Sequence, residues 1–155
     1  MLVNNEIGNI LDVDSIIEIC QRNDALFHSD TVQGIAHVPI DLQKTPIDFI
    51  AASAHKFHGP KGVGFAVFKK GFGISPLLHG GDQERGARAG TENIHSITGM
   101  EKALSIAIEH FEEHKNYINN LKQYFMEQLK ASFSNISFNG NSNDLEKSAF
   151  HILNV

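Results

Sequence analysis

Apolar residues fall into three short runs in the first half of the chain and one helical stripe in the second. Ala25-Leu26-Phe27-His28 predicts a buried strand ending at Asp30. Ile47-Asp48-Phe49-Ile50-Ala51-Ala52 predicts a second strand, ending at Ser53. Gly64-Phe65-Ala66-Val67-Phe68 predicts a third, closed by Lys69-Lys70-Gly71. Met1 to Val3 reads as the end of one more strand, with a loop over Asn4–Gly8. Ser15 and Glu18 match a capping box ahead of Ile16, Ile17, Ile19 and Cys20, which predicts a short helix from near Asp14. Strands alternating with helical segments predict an α/β layer.

Residues Phe72 to Asn93 are glycine-rich and irregular, and so long a loop in a compact domain is usually functional or disordered. Ile97, Met100, Leu104, Ala107, Phe111, Ile118, Leu121 and Phe125 then repeat at three-four spacing, with His114 as the break in the stripe. The pattern predicts one long helix over Ser96–Ser132 that crosses between layers or domains. Asn135-Ile136-Ser137-Phe138 predicts a strand, residues 139–144 a turn-rich connector, and Ser148–Val155 the start of another strand. No internal repeat is visible. Regular structure running into both ends predicts an internal piece of a longer protein.

The 155 residues suffice for one domain with a core. A formal net charge of -5 argues against nonspecific nucleic-acid binding. No apolar run has the length of a membrane span. Cys20 is the single cysteine, which excludes an internal disulfide and predicts a reducing, cytoplasmic location. Nine histidines are scattered without a metal-ligand spacing, so no metal is expected.

The chemistry concentrates in Ser53-Ala54-His55-Lys56-Phe57-His58-Gly59-Pro60-Lys61-Gly62. A lysine amine forms a Schiff base with a carbonyl when its surroundings favour the neutral form. Most lysines are solvated surface groups, but Lys56 directly follows a predicted strand, where open α/β sheets place their ligands. Asp30 ends another strand, and a carboxylate there can keep a pyridine nitrogen protonated; alone, it reads equally as a turn former. His28 lies two residues earlier on the same strand face and is a further catalytic candidate. Ser53 and His55, with backbone amides near Gly59–Gly64, can cradle a dianion. Gln33 can donate to a phenolate oxygen, and Asn5 can reach cofactor or substrate from the first loop. Each of these two also reads as an ordinary loop amide.

Together these residues resemble the class V, fold-type I pyridoxal-phosphate enzymes, and most closely the cysteine desulfurases. The resemblance rests on VNNEIG at Val3–Gly8, HSDTVQ at His28–Gln33, SAHKFHGPKGVG at Ser53–Gly64 and HGGDQERGARAGTEN at His79–Asn93. It implies a fold of mostly parallel sheet flanked by helices. Residues 1–95 would be part of the large cofactor-binding domain, 96–132 a connecting helix and 133–155 the beginning of a small α+β domain. It implies pyridoxal 5'-phosphate held covalently by Lys56. Asp30 would face the ring nitrogen, Gln33 the phenolic oxygen, and Ser53 and His55 the phosphate. Asn5 would face cofactor and substrate. Thr91 would reach the phosphate in a second subunit of a homodimer, and Arg88 would line the site; its residue type fits a salt bridge within its own loop equally well.

The implied reaction converts L-cysteine to L-alanine and leaves a persulfide on the enzyme, with sulfur passing to an acceptor or scaffold protein for iron–sulfur clusters or thiolated cofactors. Family members carry a nucleophilic cysteine and a substrate-binding arginine in a later segment. They carry a phosphate-binding threonine and a ring-stacking histidine in an earlier one. Cys20, on an apolar helix face, reads as a small buried hydrophobe and not as that nucleophile. The 155 residues alone are therefore expected to be inactive. Selenocysteine lyase or another class V aminotransferase, a non-catalytic remnant keeping folding and dimer surfaces, and a generic phosphate-binding domain are the competing readings.

Overall fold

The computed structural model describes residues 1–155. Its sheet has three strands in the order β1 (His28–Asp30), β2 (Phe49–Ser53) and β3 (Gly64–Phe68). β1 and β2 are parallel, and β3 returns antiparallel beside β2. The first strand is shorter than its apolar run suggests. Leu26 is exposed, and the Phe27 amide is taken by the Asp48 carboxylate at 2.8 Å, so regular pairing begins at His28. On the far side of β1, the Leu2 amide bonds to the Asp30 carbonyl at 2.8 Å, but Met1–Val3 form only a bridge, Val3 opposite Ile10.

Helix α1 (Val13–Arg22) starts on a different cap from the one the sequence suggests. Asp12 accepts the Ser15 amide at 3.2 Å and the Ser15 hydroxyl at 2.6 Å, so Ser15 lies inside the first turn as a donor. An aspartate at this position also suits the positive end of the helix dipole. Ile17 of α1 packs with Ile47 and Ile50, flanked by Val13, Phe27, Ile35 and Phe65, which closes one face of the sheet. The other face carries a ladder of direct cross-strand partners, His28, Phe49 and Phe68, with Phe72 beside it.

The long helix is two helices, α2 (Ile94–Glu109) and α3 (Phe111–Ser132). The helix breaks at His110, with φ −100° and ψ 14°, where the sequence pattern predicts a single continuous helix. Neither proline nor glycine causes it. The His110 ring meets the Glu113 carboxylate at 3.1 Å at the start of α3, and Phe111 turns edge-on to Phe150 with ring centroids 6.3 Å apart. Helix α2 approaches the turn after β2 through Gly99, where a Cβ would lie 2.8 Å from the Pro60 ring.

Neither predicted C-terminal strand forms. Residues 135–138 are irregular, and Ser148–Val155 contributes one bridge, Ser148 opposite Asn9. What holds this segment is side-chain chemistry. Lys122, buried on α3, donates to the Ser148 hydroxyl at 2.8 Å and to the Ala149 carbonyl at 3.1 Å. The Ala149 amide bonds to the Gly8 carbonyl at 2.9 Å, and Ala149 closes a second small core with Leu2 and Val3.

Candidate active site

The parallel pair β1–β2 sets the site. Asp30 pairs with Ala51, and Ser53 follows two residues later, so Asp30, Ala51 and Ser53 lie on one face of the sheet at its C-terminal edge. Ligands of open α/β sheets bind at this edge. Asp30 Oδ1 accepts the Val32 amide at 2.9 Å; its other oxygen makes no bond within the chain. Thr31, fully buried, ties the turn back to β2 by donating its hydroxyl to the Ala51 carbonyl at 2.9 Å. Gln33 rides on that turn.

Ser53 ends β2, and a single 3₁₀ turn, Ala54–Phe57, follows at once. Ala54 and Phe57 are buried and anchor the turn from inside, which leaves His55 exposed and Lys56 half-buried. The Ser53 hydroxyl does not cap the turn; it meets His55 Nδ1 at 2.9 Å. A hydroxyl and an imidazole are thus prearranged side by side at an open edge. His58 turns the chain in the left-handed region at φ 66°. Pairing of Ser53 with Gly64 then requires a bare backbone, since a Cβ on Gly64 would lie 2.3 Å from the Ala52 carbonyl oxygen.

Asn5 lies three residues past Leu2, whose amide is bonded to Asp30, and its side chain donates to Glu6 at 3.0 Å. His28 shares the Asp30 face but stacks on Phe49, ring centroids 4.0 Å apart and 14° from parallel. Thr91 and Arg88 are exposed on the loop before α2, and no hydrogen bond or ion pair joins them to the Lys56 turn. Arg88 lies against Gly90 and forms no salt bridge in this chain. Cys20 is at the opposite end of β1, where its carbonyl accepts the Ala25 amide at 2.9 Å.

Sequence reasoning missed a group behind the Lys56 turn. His151 and His37 pack ring on ring, with centroids 3.8 Å apart. His151 Nε2 lies 3.5 Å from Gln33 Oε1. Burial, then the charges of His37, Lys122 and Lys56, lower the His151 imidazole to about 3. His37 is held below the usual histidine range by burial and then by His58, with the Ile35 backbone opposing and Lys56 adding to the lowering. Lys122 is lowered to about 8 by burial, against an opposing pull from Asp144. The two histidines are far apart in the chain and belong to no motif; only the fold brings them together.

The whole chain, residues 1–155, matches the family model described as Aminotransferase class-V. It is 41% identical over 140 residues to the cysteine desulfurase IscS of Dictyoglomus turgidum, which covers 90% of this chain and 36% of that protein. It is 47% identical over 129 residues to the cysteine desulfurase IscS of Methanosarcina thermophila, covering 83% of this chain and 32% of that protein. The chain thus spans about a third of the length of these relatives. Among solved structures, a NifS-like protein superposes with a TM-score of 0.88 at 38% identity over 97% of this chain and 40% of its own. DndA from Streptomyces lividans superposes with a TM-score of 0.87 at 34% identity over 99% of this chain and 43% of its own. The α/β architecture built on the β1–β2 edge is therefore that of the NifS-like fold-type I enzymes, and the chain belongs to the class V aminotransferase family, similar to its cysteine desulfurases.

Proposed function

We propose that these residues form the cofactor-holding part of a pyridoxal-phosphate-dependent cysteine desulfurase, with Lys56 as covalent anchor. The observation that carries the reading is the placement of Asp30 and the Ser53–Lys56 turn on one edge of a parallel strand pair. The donor set suits the group. Asp30 keeps one oxygen free for a ring N–H, Ser53 and His55 offer adjacent phosphate donors, and Lys56 supplies the amine. Bound pyridoxal phosphate supplies an electron sink for negative charge developing at the substrate's alpha carbon.

The chain's own residues divide the rest of the work. Asp30 holds a proton at the ring nitrogen. Gln33 donates to the phenolic oxygen. Ser53 and His55 bind the phosphate and fix the ring's position. Lys56, the amine of the site, moves protons at the substrate's alpha carbon as base and acid. Asn5 lines the site from the first loop. His28 supports the Asp30 face through its stack on Phe49. Arg88 lines the site, and Thr91 serves the phosphate of a second subunit in a homodimer. Residues 1–95 act as part of the large domain, 96–132 as the connection and 133–155 as the start of the small domain. The sulfur-accepting cysteine and the substrate arginine lie in segments of a longer protein, which passes sulfur to an acceptor or scaffold protein in the cytoplasm. No helix is long and apolar enough to cross a membrane.

Alanine release from L-cysteine tests the reading. The longer protein releases alanine, and Lys56→Ala lowers the rate by roughly 10²–10⁴-fold. The 155 residues alone release none. Unchanged turnover in the Lys56 variant would contradict the assignment, and a strong preference for L-selenocysteine would move the reading to a lyase of the same fold.

A further inference from the structure

Gln33 has two ends that differ in chemistry. Only its NH₂ end can donate to an anionic phenolic oxygen, so the amide must be held the right way round. Its turn supplies no such constraint: the Gln33 side chain has one partner in the chain, His151 Nε2 at 3.5 Å from Oε1, and its NH₂ end makes no bond.

The ring of His151 can meet Gln33 in only one satisfactory way. His151 Nδ1 is buried and has no hydrogen-bond partner. A proton on Nδ1 would leave a buried N–H orphaned, with its desolvation uncompensated. A proton on Nε2 leaves Nδ1 with an unused lone pair, the more tolerable defect. The charged ring, with both protons, is disfavoured by the group's surroundings. The titratable groups that bear on it are His37 against its face, Lys122 from α3 and Lys56 from the turn after β2; none is a carboxylate. His151 is therefore neutral with Nε2 as donor. An Nε2–H facing Gln33 selects the carbonyl oxygen, because the reversed amide would set donor against donor. The contact is long, so its effect is selective more than adhesive.

We propose that His151 is a positioning residue that orients the Gln33 amide, leaving its NH₂ end free to donate to the cofactor's phenolic oxygen. This rests on the reading of the Lys56 site as a pyridoxal-phosphate site. The stack of His37 on His151 holds the ring in place, and Phe150 packs edge-on beside it.

Two readouts on the full chain test the proposal. Long-range ¹⁵N–¹H NMR of the histidine rings at neutral pH reports the tautomer without any cofactor. The expected result is an Nε2–H tautomer for His151, with its Nε2 shift moved by Gln33→Leu. With pyridoxal phosphate added, the visible band of the bound cofactor is titrated with pH. His151→Phe keeps a ring against His37 but removes the donor. It is expected to raise the titration midpoint by about one pH unit, the tenfold loss of one charge-assisted hydrogen bond. His151→Gln, which restores an N–H near the same place, is expected to return the midpoint toward its original value. An Nδ1–H tautomer, or a midpoint the same in all three proteins, overturns the positioning role while leaving the cofactor reading intact. Absence of any band in the unaltered chain removes the cofactor reading, and this role with it.

Discussion

At the scale of single residues, identity matters less than what each side chain is relieved of. Ser53 occupies the N-cap position of a 3₁₀ turn, yet its hydroxyl pairs with His55 Nδ1 and does not cap the turn. If both serve a phosphate, Ser53→Ala weakens pyridoxal-phosphate binding by about tenfold, a typical charge-assisted hydrogen bond, and leaves the binding of pyridoxal unchanged. Equilibrium titration with the two ligands separates the cases; equal weakening of both would remove Ser53 from the phosphate. Lys122 offers a second residue-scale test. Its amine is lowered from 10.5 to about 8 in the folded chain. The unfolded state therefore binds more protons between those values, and stability rises as pH climbs from about 8 to 10.5. Urea midpoints across that window are expected to rise less in Lys122→Met than in the unaltered chain. Because a neutral amine still has two N–H groups for Ser148 and Ala149, deprotonation keeps both bonds. Parallel pH profiles in the two proteins would contradict the assignment of the depressed amine.

At the scale of elements, motifs and cores were legible where local pattern and tertiary packing agree. β2 and β3 follow their apolar runs, and the glycine that opens β3 is forced by geometry. Gly64→Ala would drive a Cβ to 2.3 Å from the Ala52 carbonyl, a backbone atom that cannot swing aside. It is expected to destabilise the chain by roughly 1–3 kcal/mol, read by thermal or urea unfolding. Gly62→Ala, at φ 79° but in open space, is expected to cost about 1–2 kcal/mol from backbone strain alone and to leave the Ser53–Gly64 pairing intact. Where the pattern misled, a competing interaction won. Asp12 outcompetes Ser15 for the cap because its carboxylate accepts two donors at once. The stripe from α2 to α3 continues through a break that it cannot reveal, since His110 bends the backbone without a glycine or proline. The C-terminal apolar run is held by a buried lysine and not by strand pairing, and periodicity carries no information about Lys122.

At the scale of the whole molecule, the site's strand edge was readable because Asp30 and Lys56 follow apolar runs directly. The His37–His151 pair was not, because no sequence signal connects a turn after β1 with the residues that follow α3. The pair also shapes acid stability. His151 falls from 6.5 to about 3 on folding, and His37 falls as well. The unfolded chain thus binds more protons as pH drops from about 6.5 toward 3, and the fold loses stability through that window. His151→Phe is expected to lower the midpoint of acid unfolding monitored by circular dichroism; an unchanged midpoint would argue against a buried neutral ring. Packing sets a further property. Only 18 of 155 residues are buried, while Leu77, Ile94, Ile108 and Phe125 stand exposed. Such apolar surface favours association, consistent with the proposal that more chain and a second subunit cover it.

Reductive trapping tests the central claim most directly. The chain is incubated with pyridoxal phosphate, reduced with borohydride, digested and mapped by mass spectrometry, with Lys56→Ala beside it. The account predicts a phosphopyridoxyl group concentrated on Lys56 at low cofactor concentration, and in the variant only the sparse labelling of exposed lysines. Labelling spread evenly over surface lysines, with Lys56 no more modified than Lys44 or Lys147, would contradict it.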